Sequence, residues 1–474
     1  MTLLRPASRM ALIVGCCGLA AALLGSWFDL GRVAGVPAHF ASHQLCSAVF
    51  VAGLDPTEFF REAIEPKFGP VGRLVHYSVD RERREVRVSL AGVVTSRAIA
   101  DGPYGCRVIH SGDGFRVTRD DKSLPRSLSH RSIAGPDLVA PKSAALFEAL
   151  DHAFAEPASA PHRWTKAVVI LHHGVVIGER YAPGITPVTP LQGWSMTKSV
   201  TNALIGVLVR EGKLDIAAPA PIVEWSALND PRHRVTSDQM MRMVSGVSCG
   251  QSLHFGLRTI FDADTRMEFD MPDQAGFAVH AGLRAEPGSE WRYTNCNFVL
   301  LSRTIREAAG GDAESARQFV ERELFEPLQF EHATLEYDSA GTPLGTIHLW
   351  ASARDWARFG LLYLRDGVSP GGRRILPEGW VDYSARLTPQ SEDHGYGAGF
   401  WTQRGNSRAA RERIAAGMPA DSFMAVGSQG QYTIIIPSED LVIVKMGWAY
   451  TPHNDIATVE VLVKEIIAAL HANE

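Results

Sequence analysis

The sequence predicts an α+β fold in which an antiparallel sheet is flanked by helices and carries a mostly helical insertion. Two groups of apolar, β-branched segments predict strands, one at 167–179 and the other at 432–446. The long stretch between them, 215–340, has mainly helical patterning. Because the strands come from both ends and are joined by short turns, they indicate an antiparallel sheet with helices packed on it, rather than an alternating parallel one.

Composition narrows the class of protein. The 474 residues are 45% hydrophobic and 21% charged, which is ordinary for a globular protein with a substantial core. A chain of this length suggests about two or three domains. The net charge of −5 gives no electrostatic reason to expect a nucleic-acid partner.

The N-terminal segment, residues 1–30, contains an uncharged apolar run at Met10–Phe28. As a helix this run would span about 28 Å, close to the thickness of a bilayer core. Two arginines precede it, so the positive-inside rule places the bulk of the chain outside the cytoplasm. Two interpretations stay open: a signal anchor that holds the chain in the inner membrane with its bulk on the periplasmic side, or a signal peptide cleaved near 34–38, which would release the chain into the periplasm.

A small β-rich module is expected at 31–120, followed by a linker at 121–142. The segments Leu74–Val79 and Glu85–Leu90 alternate in polarity on either side of a charged turn, which predicts a hairpin. The linker is rich in Ser, Pro, Arg and Lys, a composition typical of loops.

The cysteines and histidines indicate disulfides more than metal sites. Cys46 and Cys106 fall in the β-rich module, whereas Cys249 and Cys296 fall in the later region. Export would permit both pairs to form disulfides, and the pairing stays open. No paired CxxC and no HExxH motif occurs, and the adjacent His172–His173 are interpreted as turn residues. No metal ligand is expected.

The region 143–474 is predicted to form one domain. Gly212 is expected to cap the helix that begins at Ser195, and Thr236 with Gln239 has the form of a capping box. The predicted helices are Ser143–Phe154, Ser195–Glu211, Thr236–Val244, Asn297–Ala309, Glu314–Phe325, Trp350–Leu364 and Ile456–Leu470, and the predicted hairpins are Ala167–Leu171 with Val175–Glu179 and Tyr432–Ile436 with Leu441–Met446.

The chemistry is expected at Gly193–Ser199, with the sequence GWSMTKS. Ser195 and Lys198 are three residues apart at the start of a predicted helix, so their side chains lie on one face about one turn apart. The Ser195 hydroxyl would also lie at the positive end of the helix dipole. This is a physical arrangement for an activated nucleophile.

A second serine competes for this role. Ser248 lies in Gly246–Gly250, which fits the G-x-S-x-G pattern of a nucleophile elbow. Such an elbow follows a buried strand and opens a helix. Here the preceding residues read as a helix and the following ones are a poor helix start, so the context favours Ser195.

Two further stretches support Ser195. Tyr293 and Asn295 offer a phenol and an amide side by side at a helix start, which can relay a proton and orient a carbonyl or an amine. The second stretch, SQGQ, begins at Ser428 and leads into an apolar strand. Gly430 would let a substrate approach the backbone there, and the N–H group of Gln431 could bind an oxyanion.

Together and in this order, these stretches resemble the serine hydrolases related to class C β-lactamases and penicillin-recognising DD-peptidases. The resemblance covers roughly 150–474. GWSMTKS, PGSEWRY at Pro287–Tyr293 and YGAGFW at Tyr396–Trp401 are most similar to the branch of 6-aminohexanoate-dimer hydrolases and related esterases. The resemblance implies a β-lactamase-like fold.

The resemblance also assigns roles. It implies that Ser195 is the nucleophile, Lys198 its partner and Tyr293 the proton relay. Asn295 matches the asparagine of the Tyr-x-Asn element, and the oxyanion hole would be the backbone N–H groups of Ser195 and Gln431.

The third element departs from the family pattern. β-Lactamases and DD-peptidases usually carry Lys-Thr-Gly, but this chain has Ser428–Gly430, which lacks a cation for a substrate carboxylate. The departure favours cleavage of an amide or ester through an acyl-enzyme, without a metal or organic cofactor. Two alternatives remain: a DD-peptidase or β-lactamase, and a non-catalytic, membrane-anchored binding protein with the same fold.

Overall fold

A computed structural model describes residues 30–110, 133–250 and 261–472. It contains a six-stranded, a four-stranded and a three-stranded sheet, all with antiparallel pairing. The strands are β1 Val75–Asp80, β2 Glu85–Leu90, β3 Val94–Ala100, β4 Cys106–Val108, β5 Thr165–His172, β6 Val175–Tyr181, β7 Leu191–Gln192, β8 Ala333–Leu335, β9 Leu349–Ala351, β10 Trp401–Thr402, β11 Phe423–Gly427, β12 Gln431–Ile436 and β13 Leu441–Gly447.

Helices surround these sheets. The α-helices are α1 Leu30–Phe50, α2 Pro56–Phe59, α3 Glu65–Phe68, α4 Ala144–Phe154, α5 Thr197–Arg210, α6 Ser237–Met241, α7 Ala263–Asp270, α8 Gln274–Ala278, α9 Cys296–Ala309, α10 Ala313–Val320, α11 Glu326–Leu328, α12 Ala353–Leu364, α13 Trp380–Ala385, α14 Arg408–Ala415 and α15 Ile456–His471. One π-helical turn joins α2 to α3 and another joins α10 to α11.

The main sheet has the strand order β10-β11-β12-β13-β5-β6, so it is assembled from both ends of the region 143–474, as predicted. Successive side chains of a strand point to opposite faces of the sheet, and both faces of this sheet are buried. In β13, Val442 and Val444 pack with α12, whereas Leu441 and Ile443 face α4 and α15. The central strands are therefore apolar throughout and lie between two helical layers.

Residues 30–110, called here the N-terminal module, are only partly β. The predicted hairpin is confirmed as β1 and β2, and β3 and β4 extend it into a four-stranded meander. The expectation of a β-rich module missed α1, which packs across β2 and β3. Helix α1 contains Pro37 and few charges, so its sequence resembled a continuation of the apolar N-terminus. A disulfide joins α1 to β4 through Cys46 and Cys106, whose Cα atoms are 6.0 Å apart.

The expected linker at 121–142 is partly packed structure. Residues 111–132 lie outside the described residues, but 133–142 lie beside β6, whose Val176 and Glu179 N–H groups donate to the carbonyl groups of Ile133 and Val139. Ile133 accepts a hydrogen bond from the Val176 N–H (2.9 Å) and is buried in the core. The Arg354 guanidinium donates to the carbonyl groups of Gly135 and Asp137, both at 2.7 Å. These long-range contacts fix a segment whose composition is that of a loop.

The other predicted elements are confirmed with shifted ends. The capping box at Thr236 and Gln239 forms, although α6 stops at Met241, three residues earlier than expected. The predicted helix at 350 begins later because Leu349–Ala351 pairs with β7 and β8, and Ser352 then caps α12. The three-stranded sheet and helices α7, α13 and α14 were not predicted.

No helix among the described residues is long and apolar enough to cross a membrane. The predicted anchor, Met10–Phe28, lies outside the described residues.

Candidate active site

Ser195 lies on a tight turn between β7 and α5. The turn is a short 3₁₀ helix at Trp194–Met196, and Trp194 has a positive φ of 47°. Such a backbone conformation is costly for a bulky residue and is found where neighbouring structure holds it in place. The Thr197 hydroxyl donates to the Trp194 carbonyl group (2.7 Å), and a Cβ at Gly193 would lie 2.2 Å from the Trp356 ring. The turn presents a half-buried Ser195 at the start of α5.

Lys198 lies directly against the serine. Its Nζ donates hydrogen bonds to the Ser195 Oγ (3.0 Å) and to the Thr346 carbonyl group (3.3 Å). The side chain is almost fully buried, at 1% exposure, and Nζ lies 5.0 Å from the centroid of the Tyr293 ring. The structure thus brings the three residues predicted to be catalytic into one cluster.

A buried carboxylate fixes the Tyr-x-Asn element. Both Asp264 oxygens accept from the Asn295 N–H (2.9 and 3.0 Å), and Oδ1 also accepts from the Thr294 hydroxyl and the Cys296 N–H. The carboxylate occupies the N-terminal end of α9, where the free N–H groups and helix dipole favour an anion. The Asn295 Oδ1 is buried without a hydrogen-bond partner among the described residues. Its capacity to accept a hydrogen bond is therefore unused by the described residues.

The third element forms the turn between β11 and β12. Gln429 and Gly430 have positive φ values of 63° and 82°, which this turn requires. Ser428 is half-buried, whereas Gln431 is 1% exposed. The Gln431 side chain is turned into the sheet, where its Oε1 accepts from the Gly447 N–H (3.2 Å).

Gly427, which the sequence did not single out, is the part of this hairpin that meets the nucleophile turn. A Cβ at Gly427 would lie 2.1 Å from the Gly193 carbonyl oxygen and 3.0 Å from the Trp194 Cβ. Only glycine permits this close approach. The end of β11 therefore borders the turn that carries Ser195.

Aromatic rings line one side of the cluster. Tyr293 stacks on Trp401, with ring centroids 6.0 Å apart, and meets Tyr396 edge-on at 5.9 Å. Trp291 contacts all three rings within 6.3 Å. We call Trp291, Tyr293, Tyr396 and Trp401 the aromatic wall. Trp291 and Trp401 remain partly exposed, so the wall offers apolar surface next to the nucleophile.

Helix α5 holds the segment that carries this wall. The Ser199 hydroxyl donates to the Gly399 carbonyl group (2.6 Å), and the Asn202 Nδ2 donates to that of Ala398 (2.9 Å). The Asn202 Oδ1 accepts from the hydroxyl of Tyr363 (2.6 Å) and from the Trp380 indole N–H (3.0 Å). The helix that carries Lys198 therefore also positions Tyr396–Trp401.

A buried acid lies behind Lys198. Glu268 is 3% exposed, and burial raises its pKa to about 8, against the opposing effects of Thr346 and Lys198. Its Oε2 is 3.9 Å from the Nε2 of His348. Burial and the neighbouring His43 lower the pKa of His348 to about 4. The groups next to Glu268 thus include the Lys198 side chain and an imidazole whose pKa is lowered.

The buried polar residues continue into the N-terminal module. Glu336 Oε2 is 3.1 Å from His43 Nε2 and 3.2 Å from His348 Nδ1, while Oε1 accepts from the Ser47 hydroxyl and the Cys106 N–H. Burial would raise the pKa of Glu336, but the two histidines hold it at about 2. The module is therefore joined to the site region by a buried charged network as well as by apolar packing.

The module also touches the rim of the site. Phe40 stacks near Trp194 (6.4 Å between ring centroids), and the Lys67 Nζ lies 4.5 Å from the centroid of the Trp194 ring. The Gln429 Nε2 donates to the Ala63 carbonyl group (2.9 Å). Residues 30–110 therefore contact both the nucleophile turn and the third element, a relationship that no local sequence pattern indicates.

Among the described residues, the competing serine has no comparable surroundings. Ser248 follows an irregular segment rather than a strand, and its hydroxyl contacts the backbone of Gly250 (3.3 Å). Cys249 is paired with Cys296, with Cα atoms 5.9 Å apart. The G-x-S-x-G pattern thus belongs to a cross-linked loop.

The fold together with the paired Ser195 and Lys198 defines a serine hydrolase. Residues 150–455 match the Beta-lactamase family, and the chain belongs to that family. The 6-aminohexanoate-dimer hydrolase of Paenarthrobacter ureafaciens is 26% identical over 294 residues, which cover 60% of this chain and 72% of that protein.

Solved structures agree on the fold. A Bacillus anthracis protein that carries the provisional name of 6-aminohexanoate-dimer hydrolase superposes with a TM-score of 0.53 at 25% identity, covering 65% of this chain and 80% of that one. A penicillin-binding protein homologue from Caulobacter crescentus gives a TM-score of 0.52 at 18% identity, covering 70% and 98%. The second likeness concerns the fold alone.

Proposed function

We propose that the protein cleaves an amide or ester by acyl transfer to Ser195. The observation that carries this proposal is the hydrogen bond between the Lys198 Nζ and the Ser195 Oγ (3.0 Å), made inside a buried cluster. A hydroxyl group is a weak nucleophile unless an adjacent base removes its proton. A lysine amine in its neutral form supplies that base.

The proposed reaction has two steps. The Ser195 Oγ bonds to the substrate carbonyl carbon while its proton passes to the Lys198 Nζ, and the leaving amine or alcohol departs with a proton relayed through the Tyr293 phenol. Water then attacks the acyl-enzyme, gives its proton back through the same groups and releases the acid. Backbone N–H groups of Ser195 and of the 427–431 hairpin, Gln431 among them, would bind the oxyanion, each contributing about 2.7–4 kcal/mol.

We infer a substrate with a slender apolar acyl or amine chain. The aromatic wall offers apolar surface beside the nucleophile, while Ser428 supplies no cation at the third element. The Asn295 Oδ1, which has no hydrogen-bond partner among the described residues, would accept a hydrogen bond from an amide N–H of a substrate that reaches it. The similarity to a 6-aminohexanoate-dimer hydrolase, a protein named for a linear amide, supports the same substrate class.

Two other functions remain distinguishable. A DD-peptidase or β-lactamase is favoured only by the family match, because the Lys-Thr-Gly element is missing. A non-catalytic binding protein is disfavoured by the retained contact of Ser195 with Lys198.

The experiment is covalent labelling. The full chain is exposed to an activated ester or a fluorophosphonate and its mass is measured, with Ser195→Ala and Ser248→Ala as matched variants. We expect one adduct in the wild type and in Ser248→Ala, and none in Ser195→Ala. Equal labelling of wild type and Ser195→Ala would refute the proposal. Labelling by penicillin would instead favour the peptidase or β-lactamase function.

We further propose that the protein acts outside the cytoplasm, either held in the inner membrane by its N-terminal segment or free in the periplasm. The cross-links Cys46–Cys106 and Cys249–Cys296 support this location, because disulfides persist in oxidising compartments. Cell fractionation followed by thiol alkylation tests it. Recovery of the protein from the cytoplasm with all four of these thiols alkylated would contradict it.

A further inference from the structure

Two histidines and an aspartate meet where the N-terminal module packs against the rest of the chain. His39 comes from α1, His110 follows β4, and Asp270 is the last residue of α7. Each offers one ligand atom, and these atoms all lie within 4.8 Å of one another. Because the three residues are far apart in sequence, no spacing motif could have indicated the cluster.

The contact between His39 and Asp270 lacks the geometry of a hydrogen bond. The His39 Nδ1 and the Asp270 Oδ1 are 3.1 Å apart, yet the buried Nδ1 has no hydrogen-bond partner among the described residues. Two ligands that each lie about 2.0–2.1 Å from a tetrahedral zinc ion are separated by about 3.3 Å. The observed separation is close to such a ligand–ligand edge.

The surroundings of the Asp270 carboxylate also favour a bound cation. Its side chain is 7% exposed, and Oδ2 is buried without a hydrogen-bond partner among the described residues. The residue also ends a helix, where the dipole is negative and disfavours an anion. A buried, incompletely bonded carboxylate in this position is costly, and a bound cation would remove the cost.

The orientation of the His39 and His110 rings permits their nitrogen atoms to bind the same ion. The rings of His39 and His110 meet edge-on, with an interplanar angle of 76° and centroids 5.3 Å apart. The second cluster, His43 with Glu336 and His348, differs because its histidine rings are stacked at 14°. Nitrogen lone pairs lie in the ring plane, so nearly parallel rings do not aim at one ion. The Glu336 carboxylate is also fully used by protein donors.

We propose that His39, His110 and Asp270 form a binding site for one divalent transition-metal ion of the zinc class. Two imidazoles and one carboxylate suit zinc and similar ions, whereas Mg²⁺ and Ca²⁺ prefer oxygen ligands throughout. Both histidines are half-buried, which leaves room for water as a fourth ligand.

The site would fasten the module beside the nucleophile turn. Phe40, next to His39, meets Phe269, next to Asp270, edge-on at 5.1 Å, and also contacts Trp194. An ion that holds His39 to Asp270 would hold this aromatic contact as well. The ion is thus assigned a structural role and takes no part in the acyl-transfer steps.

The test is metal stoichiometry. The full chain is treated with a chelator, loaded with excess Zn²⁺, passed through a desalting column and analysed for metal, and Co²⁺ is used in parallel because its visible absorption reports the ligand set. We expect about one tightly bound equivalent in the wild type, and loss of that equivalent in His39→Ala and in the isosteric Asp270→Asn. The matched control is His173→Ala, on an exposed turn, which should retain it.

Three outcomes would overturn the proposal. One is a wild type that retains no metal. Another is retention of a full equivalent by Asp270→Asn, whose circular dichroism would show that it is folded. The last is loss of the equivalent in His43→Gln with retention in His39→Ala, which would assign the ion to the stacked pair. Zn²⁺ should also raise the melting temperature of the wild type but not of Asp270→Asn.

Discussion

The Asp264 carboxylate accepts the backbone N–H of Asn295 through both of its oxygens, at 2.9 and 3.0 Å. This contact links α7 to the first residues of α9 across 31 positions of sequence. It fixes the backbone that carries Tyr293 and Asn295, so Asp264 is a positioning residue for the proton relay.

Replacement of Asp264 by Asn should therefore impair turnover more than folding. The amide keeps the shape of the side chain but loses the charge that strengthens hydrogen bonds to N–H groups, each worth about 1.5–3 kcal/mol. Since small displacements of catalytic groups are costly, we expect kcat to fall about 10- to 100-fold with little change in KM. Steady-state kinetics and thermal unfolding measure the two effects.

The control is Asp273→Asn. Asp273 is exposed and caps the short helix α8 by accepting the Gly276 N–H (2.7 Å). It should lose about 1 kcal/mol of stability and keep its kcat. Equal losses of kcat in the two variants would show that Asp264 has no special role in positioning.

Gly427→Ala tests the border between β11 and the nucleophile turn. The added Cβ would lie 2.1 Å from the Gly193 carbonyl oxygen, so one of the two segments must move. We expect a loss of stability of about 1–3 kcal/mol, as in other overpacked sites, together with a fall in kcat/KM of at least about 100-fold. Gly282→Ala is the control, because a Cβ there meets no atom of the described residues within 4 Å. Full activity in Gly427→Ala would exclude this border from the oxyanion-binding region.

Much of the fold follows from local patterning, and the failures have physical causes. The hairpin β12–β13 and helix α5 are long and apolar, so the periodicity of their apolar residues was sufficient to predict them. The two-residue strands β7 and β10 are too short to carry any period, and they form only because distant partners pair with them. Helix α7, with the sequence ADTRMEFD, has no apolar stripe, because its buried face consists partly of acids.

In the site, too, some contacts follow from local sequence and others depend on residues that are distant in sequence. Ser195 and Lys198 share one helical turn, so their proximity follows from spacing. Asp264 and Gly427 act through contacts with residues far away in sequence. The docking of Lys67 against Trp194 likewise depends on how the module packs, which no linear pattern encodes.

The raised pKa of Glu268 predicts a pH-dependent stability. Burial raises this pKa from 4.5 to about 8, and the groups that face the carboxyl are Lys198, Asp264, Thr346 and His348. Between these pH values the folded protein keeps a proton that the unfolded chain releases. The contribution of Glu268 to the free energy of unfolding is thus complete below about pH 4.5 and is lost as the pH rises through about 8. This contribution is at most about 5 kcal/mol, from 1.36 kcal/mol per pKa unit.

Glu268→Gln should remove this dependence, since the amide stays neutral at every pH. Urea unfolding of both proteins from pH 4.5 to 8.5 measures it, and the stability of the variant relative to wild type should rise steadily across the range. Parallel curves for the two proteins would contradict the assignment. The variant should remain folded, because it resembles the protonated acid that the wild type already contains below pH 8.

Trp401→Ala tests whether the aromatic wall selects the acyl chain. Trp401 is half-buried and stacks on Tyr293 at 6.0 Å, so its loss shortens the apolar surface beside the nucleophile. In the wild type each added methylene of an ester series should raise kcat/KM about fourfold while it remains in contact, from about 0.8 kcal/mol per buried CH₂. In Trp401→Ala the factor by which each added methylene raises kcat/KM should fall from about four towards one, which means no gain. The measurement is kcat/KM for p-nitrophenyl esters of increasing length. The control is Phe147→Ala, because Phe147 is an exposed residue of α4 that is not part of the aromatic wall. An unchanged increment in Trp401→Ala would mean that the chain lies elsewhere, whereas its loss at the longer lengths alone would measure how far the wall extends from Ser195.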